Sequence, residues 1–78
     1  MPVIFRTKSL RFCIFTDDHG NPHVHVLGPD GEVKIFLETL EVSYSKGFSE
    51  KSVRRILKKA KERKDVLLEA WEDYHGKD

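Results

Sequence analysis

Apolar and polar residues alternate along the first half of the chain, a pattern that is typical of β-strands. Val3–Arg6 and Leu10–Phe15 are short runs rich in branched and aromatic residues, with a polar turn between them. His23–Leu27 follows a loop that contains Asp, Gly, Asn and Pro. Pro29-Asp30-Gly31 is a strong turn signal before Glu32–Leu37. The pattern predicts about four strands, of which the last two form a hairpin.

Residues 38–48 are the most ambiguous segment. Leu40, Val42 and Tyr44 alternate as they would in a strand, but Gly47 interrupts whatever precedes it. We therefore expect either a strand or an extended connection here.

Alternation along the third predicted strand assigns its side chains to two faces. Val24 and Val26 should join the core, so His23 and His25 should share the opposite face. One sequence does not determine the register of pairing. The residues expected near the two histidines are Lys34, Phe36 and either Cys13 or Arg11.

The second half of the chain has the period of an amphipathic helix. Ser49 is a natural N-cap, Glu50 places a negative charge in the first turn, and Gly76 should end the helix. Lys64 interrupts the apolar stripe, so two helices with a break near Lys64 and Asp65 are the alternative to one helix. The stripe consists of Val53, Ile56, Leu57, Ala60, Leu67, Leu68, Trp71 and Tyr74.

These elements predict an α+β protein in which a small antiparallel sheet of about four strands packs against a long C-terminal helix. We expect a single domain over residues 1–78, strand-rich over 1–45 and helical over 49–75. Trp71 should anchor the helix on the sheet. A domain of this size buries roughly 60% of its unfolded surface. Contact with a second copy in a homodimer, or with a partner protein, would bury more surface and so stabilise the domain.

Composition favours a cytoplasmic protein without membrane contact. The single cysteine, Cys13, cannot form an internal disulfide, and no apolar run approaches the roughly 20 residues of a membrane helix. Arg6, Lys8 and Arg11 interrupt the short apolar start, so no signal peptide is expected.

A formal net charge of +1 conceals a strongly uneven distribution of charge. Residues 51–64 carry eight Lys and Arg against one acidic residue, whereas residues 65–78 carry one against five. The basic run is either a solvated helical face or a surface for nucleic acid or an acidic partner. The candidate nucleic-acid-binding residues are Lys51, Arg54, Arg55, Lys58 and Lys59.

Three of the four histidines lie within seven residues, beside two adjacent carboxylates, Asp17 and Asp18. His23 and His25 could bind a divalent metal ion, completed by Asp17, Asp18 or His19. The same pair could instead supply the base and the acid for phosphodiester cleavage. In the third interpretation the acidic pair caps a turn, His19 is exposed, and the strand histidines lie on an open sheet face or at a dimer contact. The sequence leaves all three open.

Six segments of the chain form a further pattern: residues 1–6, 18–26, 31–34, 47–49, 54–57 and 68–75. Together they resemble the small bacterial family called domain of unknown function 4160. The His-Val-His core and the Trp-containing terminal segment are the more specific parts of the resemblance. Members often carry a second proline before the histidine pair, where this chain has Asn21.

The resemblance implies a compact cytoplasmic protein commonly encoded beside a second small protein, an arrangement that suggests a toxin–antitoxin module. We therefore expect a component of such a module that binds or acts on RNA or a cognate partner protein. As an enzyme it would be a ribonuclease-like hydrolase that uses His23 and His25 in acid/base or metal chemistry. The competing class is a non-enzymatic module, either metal-stabilised or binding nucleic acid or protein.

Overall fold

The computed structural model describes residues 3–16 and 20–76, which form a five-stranded sheet followed by two helices. Neighbouring strands pair antiparallel in chain order, so every connection joins adjacent strands. The predicted α+β class is confirmed, with one strand more than expected. The elements are β1 (Val3–Arg6), β2 (Arg11–Cys13), β3 (His23–Leu27), β4 (Glu32–Phe36), β5 (Val42–Lys46), α1 (Glu50–Glu62) and α2 (Lys64–His75).

The ambiguous segment after β4 consists of a turn and the fifth strand. Leu40 has a positive φ of 62°, and its N–H donates to the carbonyl oxygen of Phe36 at 2.8 Å. The chain therefore reverses before β5 begins at Val42. Gly47, with a φ of 82°, follows the strand and ends it as its position predicts.

The helical segment breaks at Arg63, so the single long helix is wrong and the alternative of two helices with a break near Lys64 is confirmed. Ser49 caps α1 as predicted, and its hydroxyl oxygen accepts the N–H of Ser52 at 3.1 Å. Arg63 leaves helical geometry at φ −110° and ψ 18°, directly before Lys64. A straight helix would direct Lys64 toward the sheet. The break instead lets its ammonium group donate to the carbonyl oxygen of Glu38 at 3.0 Å.

One face of the sheet packs against the helices and forms the core. Val24 and Val26 of β3 are fully buried there, as their alternation predicts. The helices contribute Ile56, Ala60 and Leu67 to the same cluster, and Trp71 anchors α2 at its margin with 7% exposure. We call the opposite side of the sheet, which carries the histidines of β3, the outer face. Neither described helix has the length and apolar character of a membrane span.

Two glycines allow the β3–β4 turn to contact the end of β5. A Cβ on Gly31 would overlap the carbonyl oxygen of Lys46, and a Cβ on Gly47 would overlap that of Asp30. Gly47 also needs its positive φ, which L-residues with a side chain rarely adopt. The backbone approach at this corner holds β5 against the rest of the sheet.

We predict that Gly47→Ala lowers the free energy of unfolding by about 1–3 kcal/mol more than Gly20→Ala does. Gly20 has a comparable φ of 91° but open space where a Cβ would lie, so it shares the backbone penalty without the overlap. Urea denaturation of both variants measures the difference. Equal losses of stability would contradict a tight contact at this corner.

Candidate functional site

Alternation along β3 places His23 and His25 together on the outer face, as the sequence predicts. Their ring centroids are 5.2 Å apart. Antiparallel pairing puts His23 opposite Phe36, and His25 between Cys13 on β2 and Lys34 on β4. Directly opposed residues share a face. The expected neighbours Lys34, Phe36 and Cys13 are therefore confirmed. Arg11 lies two residues from Cys13 on β2, opposite Leu27.

Both histidine side chains are buried even though they lie outside the main core. His23 is 3% exposed and His25 is 6% exposed. The ring of Phe15 stacks on His25 at a centroid distance of 4.0 Å, and Trp71 contacts His23 at 4.9 Å. The histidines therefore do not lie on an open, solvent-exposed face.

His25 belongs to a hydrogen-bonded group with Glu32 and Tyr44. Its Nδ1 lies 3.0 Å from Oε2 of Glu32, and the Tyr44 hydroxyl donates to the same carboxylate oxygen. An ionised carboxylate only accepts hydrogen bonds, so Nδ1 of His25 must carry the proton. A carboxylate that holds a histidine in this way fixes the tautomer and the orientation of the ring.

The same tautomer is set in His23 and in a third histidine, His75. Nδ1 of His23 donates to the carbonyl oxygen of Asn21 at 2.8 Å, and Nδ1 of His75 donates to that of Trp71 at 3.0 Å. A carbonyl oxygen has no proton to offer, so each Nδ1 is protonated. In the neutral form of all three rings, Nε2 is then the basic nitrogen, which can take up a proton or ligate a metal.

Hydrogen bonds lower the pKa of Glu32 below its ordinary value. The hydrogen bond from Tyr44 is the largest cause, and the contact with His25 and the charge of Lys46 act in the same direction. Partial burial opposes them but does not prevail. Glu32 is therefore ionised around neutral pH, as an orienting partner of His25 must be.

Cys13 pairs with His25 across the sheet, but its thiol does not suit nucleophilic chemistry. The side chain is fully buried, and burial raises the pKa of the thiol despite the lowering effect of Arg11. A reactive cysteine needs a lowered pKa and access to substrate. Cys13 is accordingly a packing residue of the outer face.

The end of α2 adds an aromatic cover to the site. The ring of Trp71, on α2, packs against His23. The ring of His75 stacks on the Trp71 ring with centroids 3.8 Å apart. Nε2 of His75 is buried without a hydrogen-bond partner in the described part of the chain. Trp71 thus contributes to the main core and to the histidine cluster at the same time.

The metal interpretation depends on residues that the structure does not describe. Asp18 and His19, and with them Asp17, lie outside the described residues. Within residues 3–16 and 20–76, no group of three or more potential ligands is arranged to hold a metal ion. His23 and His25 alone supply two nitrogen ligands on one face of β3.

The structure does not bring the basic residues of α1 together with the histidines. Ile56 and Ala60 of this helix face the core side of the sheet, whereas His23 and His25 lie on the outer face. Lys59 is half-buried and forms an ion pair with Glu62 at 3.3 Å. The exposed candidates on the far side of α1 are Lys51, Arg54, Arg55 and Lys58.

Sequence reasoning missed Glu32, Tyr44, Phe15 and His75 as members of the site. A signal for Glu32 was present, because the tight turn at residues 28–31 pairs Leu27 with Glu32 and so places His25 diagonally across from it. The contact of Tyr44 depends on the irregular register between β4 and β5, for which the sequence gives no comparable signal.

We predict that Tyr44→Phe reduces the loss of stability on acidification. The folded pKa of Glu32 lies below its unfolded value, so Glu32 stabilises the fold above about pH 4.3 and this contribution is lost as the pH falls through the folded pKa. Removing the Tyr44 hydroxyl raises the folded pKa and shrinks that contribution. The midpoints of urea denaturation, measured from about pH 6 to about pH 3, give this pH dependence of stability.

Tyr74→Phe is the matched control, because Tyr74 is exposed to a similar extent, 47% against 43% for Tyr44. Its pH dependence should equal that of the wild type. An identical pH profile for both variants would contradict the role of the Tyr44 hydroxyl.

Comparison with known proteins identifies one family. Residues 10–72 match the family described as Domain of unknown function (DUF4160), and this range includes β2 to β5 and most of both helices. No curated protein and no solved structure matches the chain significantly. Because the match extends over far more than half of the sequence, the chain belongs to the DUF4160 family.

Proposed function

We propose that the chain is an RNA-cleaving component of a toxin–antitoxin-like module, with His25 as the general base and His23 as the general acid. The observation that carries this proposal is the hydrogen bond from Nδ1 of His25 to Glu32. It holds the ring of His25 in the tautomer whose Nε2 accepts a proton, beside a second histidine of the same tautomer 5.2 Å away.

The two histidines suit cleavage of RNA by its own 2′-hydroxyl group. Nε2 of His25 takes the 2′-hydroxyl proton while the 2′-oxygen forms a bond to phosphorus. The bond from phosphorus to the 5′-oxygen breaks, and protonated His23 gives its Nε2 proton to that oxygen. The products are a 2′,3′-cyclic phosphate and a 5′-hydroxyl end. General acid–base catalysis of this kind contributes about 10²–10⁴-fold in rate.

A non-enzymatic binding module is the second candidate, and the burial of the histidines favours it. Exposures of 3% and 6% mean that the rings are closed to RNA while Phe15 stacks on His25 and Trp71 packs on His23. In this alternative the histidine cluster stabilises the outer face, and the chain binds RNA or a cognate small protein without cleaving it.

We predict that Glu32→Gln lowers the rate of RNA cleavage by about 10–100-fold, because His25 loses the carboxylate that orients its ring. Untagged protein is incubated with single-stranded RNA in EDTA, and the cyclic phosphate product is quantified over time. Glu41→Gln, which removes an exposed carboxylate before β5, is the control and should cleave at the wild-type rate.

Three results would contradict acid–base cleavage by this pair. Intact RNA with folded wild-type protein would favour the binding module. Equal rates for Glu32→Gln and wild type would remove His25 as the base. Activity that EDTA abolishes and a divalent ion restores would replace the acid–base mechanism with a metal-dependent one.

We further predict that expression of the chain alone arrests cell growth, and that replacing His23 and His25 by alanine relieves the arrest. Growth curves after induction measure both effects, and circular dichroism of the purified variant checks that it folds. Harmless wild-type expression would count against the toxin role. Growth arrest that persists in the folded double variant would contradict the catalytic role of His23 and His25.

A further inference from the structure

The outer face of the sheet collects nearly all the cations of the strand-rich half. Residues 1–50 contain five Lys and Arg, and four of them lie on this face. One row of opposed residues runs across all five strands, and the next row contains His25. The first row is Arg6, Arg11, Leu27, Glu32 and Lys46, and the second includes Cys13, His25, Lys34 and Tyr44.

The fifth cation, Lys8, lies at the edge of the same surface. It lines a groove of about 300 Å³ together with Arg6 and Arg11, between the β1–β2 turn and residues 27–29. The groove therefore offers three positive side chains around one concave site. Such an arrangement attracts an anion, and phosphate in particular.

On the described part of this face, positive side chains outnumber carboxylates. No described carboxylate forms an ion pair with Arg6, Arg11, Lys34 or Lys46. Glu32 is the only carboxylate in the two rows, and it accepts hydrogen bonds from His25 and Tyr44. The two rows therefore carry four positive side chains against one carboxylate.

Aromatic side chains on the outer face favour RNA over an acidic protein as the ligand of this face. Tyr44 is 43% exposed and lies opposite Lys34, whose ammonium group is 5.7 Å from the ring of Phe36. Exposed aromatic rings beside cations bind single-stranded nucleic acid by stacking unpaired bases while the cations hold the phosphates. The first row spans about 19 Å across five strands, enough for a short single strand.

We propose that this cationic outer face, defined by Arg6, Arg11, Lys34 and Lys46, binds single-stranded RNA and directs it to His25. The inference rests on the proposed function for the identity of its ligand, and it assigns the RNA site to the sheet instead of the basic helix. A strand held on α1 would lie on the other side of the sheet from His25.

Two variants that each remove two exposed positive charges test this assignment. Arg6→Gln with Arg11→Gln changes the outer face, and Arg54→Gln with Lys58→Gln changes α1. Binding to a labelled single-stranded RNA of about ten nucleotides is measured by fluorescence anisotropy over a range of salt concentrations. Thermal melts confirm that both variants fold.

The outer-face variant should bind about tenfold or more weakly, and the slope of log affinity against log salt should fall by about 1.4, which corresponds to two lost phosphate contacts. The helix variant should stay within about twofold of wild type with an unchanged slope. Tyr44→Ala should also bind about tenfold more weakly, because the stacking ring is gone.

The outcomes separate this surface from the cleavage reaction. Weaker binding by the outer-face variant without any cleavage by wild type supports the surface and contradicts the proposed enzyme. Weaker binding by the helix variant alone overturns the surface, even where cleavage persists. Failure of wild-type protein to bind RNA overturns both the surface and the proposed function.

Discussion

The alternation of side chains along β3 is the constraint on which the rest of the structure depends. Five consecutive residues send valines to one side and histidines to the other, and both sides are buried. A shift of register by one residue would exchange the two sets and place imidazoles in the apolar core. The helices therefore pack mainly against the valine side of the sheet. The other face is left to aromatic side chains from Phe15 and α2.

Burial of the histidines creates a need for polar partners, and the sheet supplies them locally. His25 finds Glu32 across the tight β3–β4 connection, and Glu32 in turn is held by Tyr44 from β5. Three adjacent strands thus contribute one residue each to a hydrogen-bonded chain. Polar groups in such a network restrict each other's rotamers, because an unpaired buried group is costly. The position of the proposed base is consequently set by the pairing of β3, β4 and β5.

Local patterns in the sequence predict much of the fold, since they depend on neighbours along the chain. The β3 alternation, the Ser49 cap and the turn at residues 29–31 all appear in the structure where the sequence places them. The turn at Leu40 has no sequence signal, because it requires a positive φ at a leucine. The break at Arg63 was only an alternative in the sequence, because it depends on contacts between distant segments. Lys64, for example, donates to Glu38, which is remote in the sequence. The site was only half predictable for the same reason, since Tyr44 and His75 reach it through tertiary packing.

The position of Trp71 in the chain determines when the histidine cluster can be completed during synthesis. This residue comes from the last helix of the described chain, yet it covers His23 from the third strand. Chains emerge from the ribosome amino end first, so β1 to β5 are available before α2. The histidine cluster, however, lacks the Trp71 ring until α2 has been made. A nascent chain that has not reached α2 therefore has both histidines of β3 but not the ring that packs on His23.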